Sequence, residues 1–243
     1  MTRYLTDIHS HILPGVDDGS ESMEMSMEMI EQAYTQGVRR MIATPHYYPG
    51  HRNPSTEHLL KTAEELRKNI NKMYSDFTLY LGNEIYYRDG VFEKLKNREI
   101  FTLADTRYVL VEFSYTADFN KIYEAVRKFV NHGYYPVIAH IERYGCLQKN
   151  EKNVKELVRA GAYMQVNAEN FHQGLFVPMR NYCMKLMEQG LVHFIGSDCH
   201  NLTDRVPNLM KGISYLDAKV DKEILDSILG ENTDNLLANK CIN

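Results

Sequence analysis

The sequence Asp7-Ile8-His9-Ser10-His11 closes the first apolar run of the chain, which begins at Tyr4. Alternate side chains of a strand share one face, so the imidazoles of His9 and His11 are expected to point the same way. Two imidazoles placed together supply half of the ligands that a tetrahedral metal site needs. The pair is also compatible with two polar residues at the point where a strand leaves the core. The rest of the sequence decides between these two interpretations.

The size and composition of the chain are those of a soluble globular protein. Its 243 residues suit one α/β barrel. The hydrophobic residues, 44% of the chain, can form a substantial core, and the 25% of charged residues are typical of a globular protein. A net charge of -4 and a pI of about 6.2 argue against a nucleic-acid partner. No run of about 18 apolar residues occurs, so no membrane insertion is expected. The four cysteines are not closely paired, which indicates thiols in a reducing cytoplasm.

A repeating unit runs along the chain: an apolar strand, a polar loop, an amphipathic helix and a glycine. Seven strands are predicted, at 4–8, 40–44, 77–81, 108–111, 135–139, 162–166 and 192–196. Strands that alternate with helices pair in parallel, and their continuous apolar character indicates burial on both faces. No glycine-rich phosphate loop follows the first strand, and polar candidates follow nearly every strand. These two features favour a TIM-like barrel with α/β architecture, forming a single domain over residues 1–243, over an open doubly wound sheet.

Residue types that bind metals follow six of the seven predicted strands, and in a barrel they would meet at one mouth. The set comprises His9, His11, His46, Glu84, Glu112, His140, Asp198 and His200, with Asp18 from the first loop. Each residue alone has a structural explanation, but chance placement is a poor account of the whole set. Imidazoles and carboxylates without thiolates suit Mn, Fe or Zn, and a carboxylate can bridge two ions about 3.5–4 Å apart. Such a centre suits hydrolysis of phosphate esters or of amides.

The same residues stand in motifs that resemble the PHP (polymerase and histidinol phosphatase) superfamily. The motifs are 7–11, Asp18-Gly19, Thr44-Pro45-His46, Glu84, Glu112-Phe113, 139–144 (Ala-His-Ile-Glu-Arg-Tyr) and 197–201 (Ser-Asp-Cys-His-Asn). The chain is most similar to the bacterial metal-dependent protein-tyrosine phosphatases of capsule and exopolysaccharide clusters, and the resemblance covers essentially its whole length. It implies a distorted seven-stranded (βα)7 barrel of the PHP fold. It also implies three divalent metal ions, with Mn as the usual metal and Fe or Zn as alternatives.

The resemblance further implies how the ligands are shared among the ions. The first ion would lie among His9, His11, Glu84 and Asp198. Glu84 would bridge to the second ion, which Glu112 and His140 complete. The third ion would lie among Asp18, His46 and His200. Asp17, directly before Asp18, is left open as the alternative loop ligand.

Arginines and tyrosines are the candidates for substrate contacts. Arg143 and Arg205 match arginines that bind substrate in this phosphatase group, and a guanidinium fork suits phosphate oxygens. Tyrosines near strand ends are candidates to wall a pocket for an aromatic ring: Tyr47, Tyr48, Tyr86, Tyr87 and Tyr115. The other histidines are interpreted as surface or packing residues: His51, His58, His132, His172 and His193.

The resulting hypothesis is a protein-tyrosine phosphatase that hydrolyses phosphotyrosine by means of a hydroxide bridging the metal ions. The resemblance implies, as its partner, the tyrosine-rich cytoplasmic tail of a bacterial autokinase, and hence a role in capsule and exopolysaccharide synthesis. The alternatives are a small-molecule phosphomonoesterase of histidinol-phosphate type, a metal amidohydrolase and a non-enzymatic metal-holding scaffold. Cys199 and Arg205 have the spacing of thiolate phosphatases, but the glycine-rich loop which that chemistry requires is missing.

Overall fold

Parallel strands form the centre of the computed structural model, which describes residues 4–171 and 177–242. Within these residues there are nine strands: β1 (Leu5–Ser10), β2 (Val38–Ala43), β3 (His46–Tyr47), β4 (Thr78–Leu81), β5 (Glu84–Tyr86), β6 (Tyr108–Glu112), β7 (Tyr135–Ile138), β8 (Tyr163–Asn167) and β9 (Phe194–Gly196). Three strands pair in the order β1-β2-β4, and six pair in the order β3-β5-β6-β7-β8-β9. The predicted α/β class with a parallel sheet is therefore confirmed.

Two short strands that the sequence analysis does not predict, β3 and β5, follow the predicted strands at 40–44 and 77–81, so the described residues contain nine strands where seven are predicted. The chain leaves the first sheet after Ala43, passes through Thr44-Pro45, and resumes in the second sheet at His46. Proline has no amide hydrogen to donate to a continuing ladder, which explains the break. The second interruption, at Gly82-Asn83, likewise moves the chain from β4 to β5. Each break ends immediately before a candidate ligand.

Helices pack on the outside of the strands and supply the other wall of the larger apolar core. They are α1 (Met23–Thr35), α2 (Thr56–Met73), α3 (Val91–Lys96), α4 (Phe119–Asn131), α5 (Glu151–Arg159), α6 (Val177–Glu188), α7 (Leu209–Asp217), α8 (Lys222–Asp226) and α9 (Asn232–Leu237). Ser22 and Ser55 cap α1 and α2, because each hydroxyl accepts a hydrogen bond from an otherwise unpaired backbone amide. Among the described residues, no helix combines the length and apolar content that crossing a bilayer requires.

Alternate residues of the strands contribute to two separate apolar clusters. In β6, Tyr108 and Leu110 belong to an inner cluster between the strands, whereas Val109 and Val111 belong to the outer cluster beneath the helices. This alternation confirms that the strands are buried on both faces. Glu112 continues the inner series, so its carboxylate lies at the end of the inner cluster where the strands finish.

The first and last strands lie side by side, which curls the sheet around its interior. The amide of His11 donates to the carbonyl of Cys199 at 2.8 Å, and the amide of Asp198 donates to the carbonyl of His9 at 2.9 Å. Ser10 and Cys199 form a parallel bridge. The carboxyl ends of early and late strands consequently meet at one mouth.

Candidate metal centre

Four of the predicted ligands form a tight buried group at this mouth. His9 Nε2 lies 3.3 Å from His11 Nε2, 3.2 Å from Glu84 Oε2 and 3.4 Å from Asp198 Oδ1. His11 Nε2 lies 3.3 Å from Glu84 Oε2 and 3.6 Å from Asp198 Oδ1. Ligand atoms about 2.0–2.2 Å from one ion in tetrahedral geometry lie about 3.3–3.6 Å apart. The four atoms therefore fit the shell of one divalent ion, and the expectation that both imidazoles point the same way is confirmed.

A second group forms on the other side of Glu84. Glu84 Oε1 lies 2.8 Å from His140 Nε2, which in turn lies 3.7 Å from Glu112 Oε1. His46 Nδ1 lies 3.1 Å from Glu84 Oε2 and 4.0 Å from Glu112 Oε2. Glu84 Oε1 thus faces His140, whereas Oε2 faces His9, His11 and His46, so the two oxygens have different neighbours, as a bridging carboxylate requires.

The third group contains the loop residue Asp18. Its Oδ1 atom lies 3.5 Å from His46 Nε2 and 3.6 Å from His200 Nε2, and the rings of His11 and His200 are 3.9 Å apart. Within the described residues, the buried His200 Nε2 has no hydrogen-bond partner. A buried nitrogen without a partner is costly, whereas a metal ion would satisfy its lone pair. The donor set and this unpaired nitrogen fit a divalent metal.

Asp17 has a different position from its neighbour Asp18. The Asp17 carboxylate is buried and accepts hydrogen bonds from His11 Nδ1 at 2.7 Å, from the Gly19 amide at 3.0 Å and from the His46 amide at 3.1 Å. Asp17 orients His11 as the carboxylate does in a carboxylate–histidine–metal triad. Asp18, whose side chain is 67% exposed, faces the third group. The geometry favours Asp18 over Asp17 as the loop ligand.

Unusual backbone conformations position several of these groups. His140 has a φ of 33° and Asp198 a φ of 53°, a region that costs a non-glycine residue about 1–3 kcal/mol. A Cβ atom at Gly19 would lie 2.1 Å from the carbonyl oxygen of His11, so only glycine fits at this position. The loop that carries Asp18 can approach His11 at the end of β1 because Gly19, the residue after Asp18, has no side chain.

Burial and charge shift the pKa values of the candidate ligands in both directions, and for His11 the carboxylates of Asp17 and Glu84 outweigh burial and raise the pKa to about 10. Burial acts to raise the pKa of Glu84, but His9, His11 and His140 outweigh burial and hold that pKa well below its usual range. Burial and the neighbouring Glu84 raise the pKa of Glu112 to about 7. Burial lowers the pKa of His200 to about 3, so its imidazole is neutral and its lone pair is free at pH 7. Ionised carboxylates and neutral imidazoles are the forms that bind cations.

Strand β8 supplies two amide side chains that the sequence interpretation missed. Gln165 Oε1 accepts from the His140 amide at 2.8 Å and from His9 Nδ1 at 3.2 Å. Gln165 Nε2 donates to Asn167 Oδ1 at 2.8 Å, and Asn167 Nδ2 donates to Asp198 Oδ2 at 2.8 Å. The available signal was two amides at alternate positions of an otherwise apolar strand, which share one face. They hold ligands of two groups in place.

Both predicted arginines reach the centre through Asp198. Arg205 Nη2 lies 2.7 Å from Asp198 Oδ1, and Arg143 Nη2 lies 3.2 Å from Asp198 Oδ2. Arg143 also pairs with Glu169 at 3.1 Å. The side chains of Arg143 and Arg205 are 26% and 31% exposed, so both guanidinium groups border the solvent at the mouth.

The tyrosine candidates separate into two groups. Tyr48 and Tyr115 lie at the centre, where Tyr48 donates to Glu112 and the ring of Tyr115 contacts His140. Tyr86 contacts the ring of Tyr48 at 5.5 Å. The expectation for Tyr87 is wrong: its ring is buried against the apolar side chains below the mouth, because β5 turns it into the outer core.

The remaining predictions concern a cysteine and histidines outside the ligand set. Cys199 is fully buried, and burial raises the pKa of its thiol far above the usual range, so it is unsuited to thiolate catalysis. His193 is a packing residue, as expected, because its Nδ1 accepts from the Met164 amide at 3.1 Å. His172 lies outside the described residues.

Comparisons with known proteins agree with this geometry. The sequence model of the CpsB/CapC family, described as capsular polysaccharide synthesis, matches residues 5–238. Tyrosine-protein phosphatase CpsB of Streptococcus agalactiae is 34% identical over 243 residues, which cover 98% of this chain and 100% of that protein. Tyrosine-protein phosphatase YwqE of Bacillus subtilis is 32% identical over 239 residues, which cover 98% of this chain and 93% of YwqE. The resemblance to capsule-cluster phosphatases is confirmed.

Solved structures also match the chain. A structure described with YwqE from Bacillus subtilis and CpsB from Streptococcus pneumoniae, "unique metal-dependent tyrosine phosphatases", superposes with a TM-score of 0.90. It is 31% identical, and the match covers 98% of this chain and 96% of that one. A phosphotriesterase homology protein from Escherichia coli covers 98% of this chain with a TM-score of 0.61. At 13% identity, that second likeness concerns the fold alone.

Proposed function

This chain belongs to the CpsB/CapC family of capsular polysaccharide synthesis, and from that membership we propose that it is a metal-dependent protein-tyrosine phosphatase. Relatives that match its full length are named tyrosine-protein phosphatases. The observation that carries the proposal is the convergence of imidazoles and carboxylates around Glu84, because its two oxygens face two different ligand groups. A metal-dependent phosphatase uses such a cluster to bind the ions that neutralise a phosphoryl group and activate water.

Three ions, with Mn as the usual metal and Fe or Zn as alternatives, are the proposed content of the centre. The proposed ligands are His9, His11, Glu84 and Asp198 for the first, Glu84, Glu112 and His140 for the second, and Asp18, His46 and His200 for the third. The mixed nitrogen and oxygen donors support this proposal, since such sets suit all three metals. The scaffold is proposed to be a distorted seven-stranded barrel over the whole chain. The number seven is obtained by counting β2 with β3 as one strand and β4 with β5 as another.

The chain's own residues bind and orient the substrate in this mechanism. Divalent ions, when bound, would supply Lewis acidity and lower the pKa of water. Arg143 and Arg205 both contact Asp198, and their remaining N–H donors would bind phosphoryl oxygens that arrive at the mouth. Tyr48 donates to Glu112 Oε2 at 3.4 Å and restrains that carboxylate. The leaving phenolate, whose conjugate acid has a pKa of about 10, departs without strong acid assistance.

A tyrosine-phosphorylated protein is the proposed substrate, and the tail of a bacterial tyrosine autokinase is the proposed physiological partner. The partly exposed arginines support a macromolecular substrate, because a phosphorylated side chain can reach them from outside. A cytoplasmic location is supported by the four free cysteines, which suit a reducing compartment.

The proposal is tested by assays of metal-loaded protein, with the metal content measured in the same sample. The substrates are a phosphotyrosine peptide, a phosphoserine peptide, histidinol phosphate and a cyclic amide. We expect the phosphotyrosine peptide to have the highest kcat/KM. Preference for histidinol phosphate or for the phosphoserine peptide would contradict the proposal, and inactivity with metal bound would favour a scaffold.

The role of the arginines is tested in the same assay. Arg143→Ala and Arg205→Ala are each expected to raise KM for the phosphopeptide about 10- to 100-fold, because each removes charge-assisted hydrogen bonds. Arg127→Ala, on the exposed face of α4, is the matched control and should leave KM unchanged. An unchanged KM in both mouth variants would remove the arginines from substrate binding.

A further inference from the structure

We propose that Tyr48 and Tyr115 contact the aromatic ring of the substrate and so select aryl over alkyl phosphate esters. This inference rests on the proposed phosphatase function and adds two specificity-determining residues to it. Neither tyrosine is a candidate metal ligand. Tyr48 contacts Glu112, and Tyr115 contacts His140 and Arg143, so both side chains border the candidate metal centre.

Tyr48 lies on one side of Glu112. Its hydroxyl donates to Glu112 Oε2 at 3.4 Å, and its ring lies 4.9 Å from the ring of His46. Tyr86 packs behind it, with ring centroids 5.5 Å apart. Tyr48 is only half-buried, although its hydroxyl is bonded to Glu112 and its ring contacts His46 and Tyr86. Part of a fixed aromatic surface therefore faces the solvent at the mouth.

Tyr115 lies beside His140 and Arg143. Its ring meets the ring of His140 edge-on, at 6.0 Å and 77°, and His140 Nε2 lies 3.7 Å from Glu112 Oε1. Its hydroxyl accepts from Arg143 Nη1 at 3.4 Å. The residue is nevertheless 48% exposed, and it lines a cavity of about 540 Å³ beside Arg143. A large apolar ring is thus held open to solvent next to a candidate phosphate-binding group.

Tyr48 contacts Glu112 Oε2 directly, whereas Tyr115 contacts His140, whose Nε2 lies 3.7 Å from Glu112 Oε1. A phosphoryl group that engages the centre and Arg143 would consequently have both aromatic side chains available at the mouth. A phenyl ring can make offset or edge-to-face contacts with such neighbours, whereas a short alkyl chain cannot. The arrangement fits the phenyl ring of phosphotyrosine.

The competing explanation is that the tyrosines only support the groups behind them. Tyr48 contacts His46, and Tyr115 contacts His140 and Arg143, so either could act by positioning those residues. Loss of such support would weaken the binding of every phosphate ester equally. Loss of ring recognition would weaken only the aryl compounds.

The experiment compares binding of phenylphosphonate and methylphosphonate to the metal-loaded protein by calorimetry. Relative to the Phe variant at the same position, which also lacks the hydroxyl, Tyr48→Leu and Tyr115→Leu are each expected to raise the Kd of phenylphosphonate about 3- to 10-fold while leaving that of methylphosphonate within about twofold. The Phe variants at both positions keep the ring and should retain the discrimination. Tyr4→Leu removes an exposed tyrosine at the opposite end of the strands and is the matched control.

Two outcomes would overturn the inference. Either Leu variant could weaken both phosphonates equally, or both variants could bind phenylphosphonate like the unmodified protein. Turnover of a phosphotyrosine peptide against a phosphoserine peptide, measured on the same proteins, tests the proposed function separately. A protein that discriminates between the phosphonates but does not hydrolyse phosphotyrosine would refute the function and leave the ring-binding site standing.

Discussion

Gln165→Met is the substitution that most directly tests how the centre is held together. Gln165 Oε1 accepts from the amide of His140 and from His9 Nδ1, and its Nε2 donates to Asn167. A His9 ring that donates from Nδ1 keeps the lone pair of Nε2 free for an ion that Glu84 and Asp198 would also bind. Methionine has a similar length but can make none of these hydrogen bonds.

The magnitude follows from the groups that the substitution leaves unpaired. The His140 amide, His9 Nδ1 and the Asn167 side-chain oxygen are all buried and each lose a partner, and each loss costs about 1–3 kcal/mol. The free energy of unfolding should therefore fall by about 3–9 kcal/mol, and a fold of typical stability survives the lower part of this range. Because His9 is no longer oriented, metal affinity should fall about 10- to 100-fold, as for other residues that orient metal ligands.

The assay is a metal titration by calorimetry, together with chemical denaturation of the metal-free protein. Gln189→Met, at an exposed position after α6, is the matched control and should leave both quantities unchanged. A folded Gln165→Met protein with unaltered metal affinity would refute the reasoning that β8 positions the ligands. A loss of stability alone would reduce Gln165 to a packing residue.

Three further predictions concern the centre and its loop. Glu84→Gln should lower phosphatase activity about 10³-fold or more and reduce the bound metal, because Glu84 belongs to two ligand groups. Circular dichroism checks that the fold persists. Cys199→Ala should keep activity within about threefold, since the buried thiol is not a nucleophile; a large loss at normal metal content would revive thiolate chemistry. Gly19→Ala should lower metal content and thermal stability far more than Gly50→Ala, because only the former places a Cβ against backbone. Equal effects of the two glycine variants would contradict the close approach.

The sequence predicts those parts of the fold that depend on local pattern. The run at 108–111 is apolar on both faces, and the structure contains β6 at Tyr108–Glu112, with its residues divided between two cores. The hydrophobic pattern does not predict that the chain changes sheets after β2 and again after β4. These changes of sheet depend on tertiary packing: a Cβ at Gly82, for example, would lie 2.9 Å from Leu103, which is distant in the sequence.

The candidate site is predictable where a ligand follows a strand. His9 and Glu112 are such residues, because strand direction alone brings their ends to the same mouth. Asp17 and Asp18 are indistinguishable in sequence, since only the loop's path decides which carboxylate is buried. Gln165 and Asn167 carry no charge, and although their alternate positions place them on one face of β8, only the hydrogen bonds that they make show which ligands they hold.

The neighbouring positions of β1 and β9 have a consequence for biosynthesis. The amide of Ser197 donates to the Asp7 carboxylate across 190 positions of sequence, at 3.0 Å. During translation, the early histidines therefore emerge long before Asp198 and His200, and ribosome-bound intermediates have an incomplete ligand set. Catalytic competence would arise only after nearly the entire polypeptide has left the exit tunnel, and premature termination before the last strand would yield an inert product.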